Sequence, residues 1–177
     1  MNVTIFGSAD PKPGSSAYQQ AWLLGKLLAQ AGHVVLTGGY IGTMEAISRG
    51  AAEAGGHVIG VTCEEIERWR PVRPNPWVKE EWRCQTLNER LDTLITCGEA
   101  TLALPGGVGT LTEIALTWNR LVIASIAPRP IVLIGPSWRS TFTAFIQATP
   151  TLSPQTQQWL HYVATVEEAA ATITQAS

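Results

Sequence analysis

No apolar run in the sequence approaches the ~18 residues of a membrane-spanning helix, which excludes a helical span. The opening, MNVTIFGSAD, lacks the basic stretch and long apolar core of a secretory signal. Cysteine is scarce: Cys63, Cys84 and Cys97 are odd in number and form no C-x-x-C pair. That usage fits reduced thiols in the cytoplasm rather than a disulfide framework. Charge is sparse as well, at 15% of residues with a formal net of -2. Neither nucleic acid nor an anionic membrane surface is therefore expected as a partner. A small molecule held at a local site remains.

Familiar cofactor motifs are missing. No GxxxxGK[ST] occurs, which excludes a P-loop nucleotidase, and no GxGxxG follows the first apolar run. Gly107-Val-Gly109 meets Thr112 where a third glycine belongs, so no nicotinamide or flavin dinucleotide is expected. GxSxG and HExxH are absent. The lysines are Lys12, Lys26 and Lys79, and none lies in a glycine-rich turn, as a pyridoxal Schiff base there would require. No cofactor and no metal are expected. His33 and His57 each follow a glycine at a strand start and read as structural; His161 has no partner pattern.

What is present fits one globular domain over residues 1–177, with 45% hydrophobic residues. Seven Trp is high for this length, and each belongs either to the core or to a subunit interface. Nearly continuous apolar runs at Val3–Phe6, His33–Thr37, His57–Val61, Thr101–Leu104 and Ile131–Ile134 predict parallel strands covered on both faces. Helix-length segments near 15–31, 43–55, 84–97, 109–124 and 137–148 separate them, and a short strand at Tyr162–Ala164 with a helix from Glu167 closes the chain. This alternation predicts an α/β fold: a doubly wound, Rossmann-like parallel sheet in three layers, with helices on both faces. Between Glu64 and Lys79 the rhythm breaks, and Pro71, Pro74 and Pro76 predict a surface loop without regular helix.

Three strand-to-helix turns are rich in glycine: Gly7-Ser8, Gly38-Gly39 through Gly42-Thr43, and Gly106-Gly107-Val108-Gly109-Thr110. In open α/β sheets such turns line the ligand crevice at the carboxyl ends of the strands. Glycine lets backbone N–H groups approach a ligand, and a helix N-terminus attracts an anion. Tight turn geometry accounts for a single such turn; three on one edge point to an anion or nucleotide site.

Glu113 follows the third turn closely, where a carboxylate should repel a bound anion. Thr110-Leu-Thr-Glu113 fits a capping box, in which the acid only completes the helix start. Alternatively the acid faces the sugar beside a held phosphate. Arg90, in Leu87-Asn-Glu-Arg-Leu-Asp92, is either part of a solvated charge face or a partner for that acid. Spacing leaves both pairs of alternatives open.

Leu104–Glu113 contains PGGxGTxxE and resembles the signature of the LONELY GUY (LOG) family, long mislabelled as possible lysine decarboxylases. Gly7-Ser8, the turn at Gly38–Gly42 and Ala54-Gly-Gly-His-Val-Ile-Gly60 extend the similarity over most of the chain. The resemblance implies cleavage of the N-glycosidic bond of adenosine 5′-monophosphates, often N6-substituted, to free base and ribose 5-phosphate. It implies a Rossmann-like fold and homodimers or higher homo-oligomers with the site near the interface. Under it, the Pro105–Thr110 turn holds the 5′-phosphate, Glu113 is the catalytic acid, and Arg90 matches the arginine of an M-x-x-R-K segment. Two positions depart from the family pattern: Leu91 replaces the lysine, and Gly42-Thr-Met-Glu45 stands where many members read GLMG. By fold analogy the alternative is a carrier that holds a phosphorylated nucleotide or a pterin of the molybdenum-cofactor type without cleaving it.

Overall fold

In the computed structural model, residues 1–175 are described. Their elements run β1 (Asn2–Phe6), α1 (Ser16–Gln30), β2 (Val34–Thr37), α2 (Thr43–Glu53), β3 (Val58–Cys63), α3 (Glu64–Trp69), β4 (Glu80–Cys84) and α4 (Leu87–Thr96). They continue through β5 (Ala100–Ala103), α5 (Val108–Val122), β6 (Ile131–Ile134), α6 (Pro136–Gln147), α7 (Pro154–Gln157), β7 (Leu160–Val163) and α8 (Val166–Gln175). The seven strands form one sheet in the order β4-β3-β2-β1-β5-β6-β7, with every pairing parallel. Every residue of β3, β5 and β6 is buried, as continuous apolar strands between two helix layers require.

Successive side chains of a strand point to opposite faces, so β1 feeds two cores. Ile5 packs with Leu24 and Leu28 of α1, Ile47 of α2 and Ile173 of α8. Phe6 turns the other way, toward Leu94 and Ile95 of α4, Ile114 and Trp118 of α5, and Trp138 and Phe142 of α6. The result is the doubly wound, three-layer α/β arrangement. Cys63, Cys84 and Cys97 are free thiols. Among the described residues no helix is long and apolar enough to cross a membrane.

The segment 64–79 corrects the expected loop. Its prolines all lie beyond Trp69, so nothing prevents a short helix ahead of them, and α3 occupies Glu64–Trp69. Pro71 restricts the residue before it, and Arg70 is extended at φ -136° and ψ 108°, which ends the helix. The strand β4 is absent from the apolar-run reading for a different reason. It is an edge strand whose Glu80, Glu81 and Arg83 are exposed, so it shows alternation instead of a continuous run. The terminal strand begins at Leu160, ahead of the expected Tyr162–Ala164.

Candidate active site at the switch point

The strands β1 and β5 are neighbours, yet their outgoing connections lead to opposite halves of the sheet. A crevice at the carboxyl ends of such a pair is the expected ligand site of a doubly wound sheet. Here a cavity of about 300 Å³ opens between the Gly7–Asp10 turn after β1 and the start of α5. Leu104 extends the ladder, its N–H donating to Phe6 O at 3.0 Å, and Trp138 Nε1 donates to Leu104 O at 3.0 Å. The strand end beneath the Pro105–Gly107 turn is therefore held on two sides.

Gly107 is the N-cap of α5 with no side-chain cap, and Gly107, Gly109 and Thr110 at this uncapped helix start line the cavity. Nothing lies within contact distance of a Cβ built at Gly107 or Gly109, so this edge of the cavity is open. Thr110 is buried and lines the wall, whereas Val108 is 82% exposed and points away.

Of the two alternatives for Glu113, the capping box at Thr110 and Glu113 does not form. Because the helix begins at Val108, Thr110 occupies the N3 position, and Glu113 lies too far along to reach the cap. The box forms instead on α4, where the Thr86 hydroxyl accepts from Glu89 N and Glu89 reaches back to the Thr86 N–H. The Glu113 side chain instead joins the cavity floor, only 12% exposed. Its Oε1 lies 3.8 Å from Arg90 Nη1. Burial pushes the carboxyl up to about 7, and the Arg90 charge only partly opposes that rise.

Arg90 is buried, which removes the solvated-face reading. Its Nε donates to Val61 O at 2.8 Å, its Nη2 approaches Met44 Sδ at 3.9 Å, and its guanidinium stands 5.7 Å from the Tyr40 ring centre. Tyr40 is locked in turn: its hydroxyl accepts from Cys63 N at 2.6 Å and donates to Cys63 O at 3.1 Å. Desolvation pushes the Tyr40 phenol up to about 12, so it stays a neutral wall. Four contacts thus fix the direction of one guanidinium.

The second glycine turn supports this arrangement from behind. Gly38 lies against Arg90, and a Cβ there would run into the guanidinium. Gly39 packs on Gly60 of β3, and Gly42 adopts φ +75° against Ser8 and Ala9, a conformation that favours glycine. Thr43 is buried, and both its N–H and its hydroxyl donate to Ser8 O at 2.9 Å. So Gly7, Ser8, Gly107, Gly109, Thr110, Arg90 and Glu113 share the cavity, while Gly38, Gly39, Gly42, Thr43, Gly106 and Val108 are not among its lining residues. The two departures from the LOG pattern lie elsewhere: Leu91 is buried, and Glu45 accepts from the Tyr18 hydroxyl at 3.1 Å between α1 and α2.

Sequence reasoning missed several lining residues, chiefly Tyr40, Met44, Ile66 and Trp69. It also missed Asn75, whose buried amide Nδ2 donates to Gly39 O at 3.0 Å and Tyr40 O at 2.9 Å and so ties the proline-rich segment to the second turn. No spacing signal marks these residues; they come from separate connections along the chain.

A family model described as the SLOG cluster4 family matches residues 1–169. The cytokinin riboside 5′-monophosphate phosphoribohydrolase of Rhodococcoides fascians is 31% identical over 137 residues, covering 76% of this chain and 67% of that protein. Oryza sativa subsp. japonica has a relative named cytokinin riboside 5′-monophosphate phosphoribohydrolase LOG, 35% identical over 145 residues. That match takes in 79% of this chain but only 57% of the rice protein. Among solved structures, the molybdenum cofactor carrier protein from Chlamydomonas reinhardtii superposes with a TM-score of 0.74 at 26% identity, covering 98% of this chain and 96% of that one. The molybdenum cofactor binding protein from Rippkaea orientalis shares the fold, with a TM-score of 0.77 at 22% identity over 99% of this chain and 96% of that one. On the family match and these relatives, the chain belongs to the SLOG cluster4 family, a family of the LOG type.

Proposed function

We propose that the chain is a phosphoribohydrolase that cleaves the N-glycosidic bond of purine nucleoside 5′-monophosphates, among them N6-substituted adenosine 5′-monophosphates. One observation carries the reading: the Glu113 carboxyl, buried against Arg90, lies in the same cavity as the open glycine start of α5. The 5′-phosphate binds the N–H groups at Gly107 and Gly109, where the helix end favours an anion. The ribose then lies over Glu113. As the glycosidic bond breaks, its electron pair leaves with the base and cationic character develops at the sugar, which the carboxylate stabilises. Water adds to the anomeric carbon, its proton passes by way of Glu113 to the departing base, and free base and ribose 5-phosphate result. Arg90 keeps Glu113 oriented and holds a fraction of it ionised near neutral pH.

The relatives named phosphoribohydrolases support this reading. A carrier of a phosphorylated nucleotide or pterin is the second reading, favoured by the likeness to the Chlamydomonas reinhardtii molybdenum cofactor carrier protein. It leaves Glu113 unexplained, because a carrier gains nothing from an acid beside its anion. We further assign the exposed apolar side chains Val108, Val122, Ile123 and Phe145 to a homodimer interface beside the site. Val122 and Phe145 line an apolar groove of about 560 Å³ between α5 and α6.

Incubation with a panel of 5′-monophosphates, followed by chromatography for released base, tests the function. Adenine and ribose 5-phosphate should appear from AMP, and Glu113→Gln should abolish release while its melting curve stays cooperative. Tight nucleotide binding with no base released from any purine or pyrimidine would establish the carrier instead.

A further inference from the structure

The acids of α3 all have partners, and Glu67 also accepts from the Tyr40 hydroxyl at 3.2 Å. Glu64 and Glu67 pair with Arg83 of β4, at 3.4 and 2.6 Å, and Glu65 accepts from Leu87 N at 2.7 Å at the start of α4. These contacts clamp α3 to the sheet edge. Ile66 and Trp69 share the opposite side at i, i+3, Arg70 follows as the extended residue that ends the helix, and all three line the cavity that holds Glu113. The exposure of Trp69, 78%, is high for so large an aromatic side chain. The Arg70 guanidinium stands 5.6 Å from the Trp69 ring centre. Its Nε is enclosed yet has no hydrogen-bond partner among the described residues. A buried donor left unpaired is unfavourable unless a ligand completes it.

We infer that the Ile66–Arg70 face of α3 recognises the base: Trp69 stacks on a flat heterobicyclic ring, and Arg70 donates to an acceptor on that ring's edge. The inference rests on the proposed nucleotide site for the identity of the ring, a purine. With phosphate on the glycines of α5 and ribose over Glu113, the base extends toward the wall to which Ile66, Trp69 and Arg70 contribute. Stacking on an aromatic side chain tolerates different purines, and Arg70 supplies donors only, so its partner is a ring nitrogen or carbonyl oxygen. Clamped as it is by Arg83 and the α4 start, the wall is preorganised.

Titration calorimetry with AMP and with ribose 5-phosphate, on the full chain carrying Glu113→Gln to suppress turnover, separates base recognition from phosphate binding. Adding Trp69→Ala should weaken AMP on the order of tenfold to a hundredfold and leave ribose 5-phosphate unchanged. Trp69→Phe should restore most of the AMP affinity, and Arg70→Gln should also weaken AMP alone. Because Trp69 contributes little to the core, the melting temperature of Trp69→Ala should match its parent and serve as the folding control. Equal weakening of AMP and ribose 5-phosphate, unchanged AMP affinity, or no AMP binding by the parent would overturn the inference. If the base-selective pattern holds while the wild-type chain releases no base, the inference stands and the hydrolase reading falls.

Discussion

Glu113→Gln removes a charge and keeps the shape of the side chain, and the site dictates the sign of its effect on stability. Folding raises the Glu113 carboxyl from an ordinary 4.5 to about 7, because burial outweighs the Arg90 charge. Between those values the native chain binds a proton that the unfolded chain has released. The contribution of Glu113 to stability is therefore most favourable below 4.5, falls as pH climbs, and levels off above about 7. The interval corresponds to on the order of 3 kcal/mol, since tenfold in a protonation constant is about 1.4 kcal/mol. The glutamine variant has no such proton to lose. Its unfolding free energy, relative to wild type, should rise by on the order of 3 kcal/mol across this window. Urea denaturation of both proteins at closely spaced pH values measures the difference, and every other titrating group cancels to first order. Wild-type kcat/KM should climb through the same window to a plateau, since the ionised carboxylate is the form that stabilises a cation. Parallel stability curves for the two proteins would show that Glu113 titrates normally and would refute the reasoning.

Gly38→Ala places a methyl against the Arg90 guanidinium and 2.6 Å from Met44 Sδ, at a position without positive φ, so its effect is steric. It should destabilise the fold by about 1–3 kcal/mol and lower kcat far more than phosphate affinity, as denaturation and steady-state kinetics would register. Val122→Glu with Phe145→Glu should convert the proposed homodimer to monomer in light scattering after size exclusion, and a wild-type chain already monomeric at micromolar concentration would remove that assignment.

How much was legible depended on where each element sits. Central strands such as Ile131–Ile134 are covered on both sides and announce themselves as apolar runs. The edge strand Glu80–Cys84 has one neighbour, so its polar residues were not read as a strand. In the same way Pro71, Pro74 and Pro76 hid α3, although they constrain only the chain beyond Trp69. At the site, PGGxGTxxE pointed to Glu113, yet its meeting with Arg90 is a tertiary fact. The two residues belong to helices flanking β5, and no spacing reveals that contact. Thr86–Glu89 and Thr110–Glu113 carry the same T-x-x-E pattern, and only the first caps a helix. The difference is a helix start three residues earlier than the second pattern requires, at the Gly107 N-cap.

That early start also resolves the apparent conflict between an acid and a bound anion. With α5 beginning at Val108, Glu113 lies about 7.5 Å along the axis from the first turn, and farther still from a phosphate ahead of it. At roughly 10 Å and an effective dielectric near 20, the repulsion is about 2 kcal/mol per unit charge. Arg90, at 3.8 Å, attracts the same carboxylate with about 4 kcal/mol on that scale. The ion pair thus offsets the repulsion from one charge, and the helix end lowers it further. On the proposed reading, what stays uncompensated in the ground state is the gap between phosphate and carboxylate where the ribose lies. A cation forming there meets two negative groups at once, while the neutral sugar gains little from either. An arrangement that favours the transition state over the substrate accelerates the reaction, whereas one that favours both equally only tightens binding.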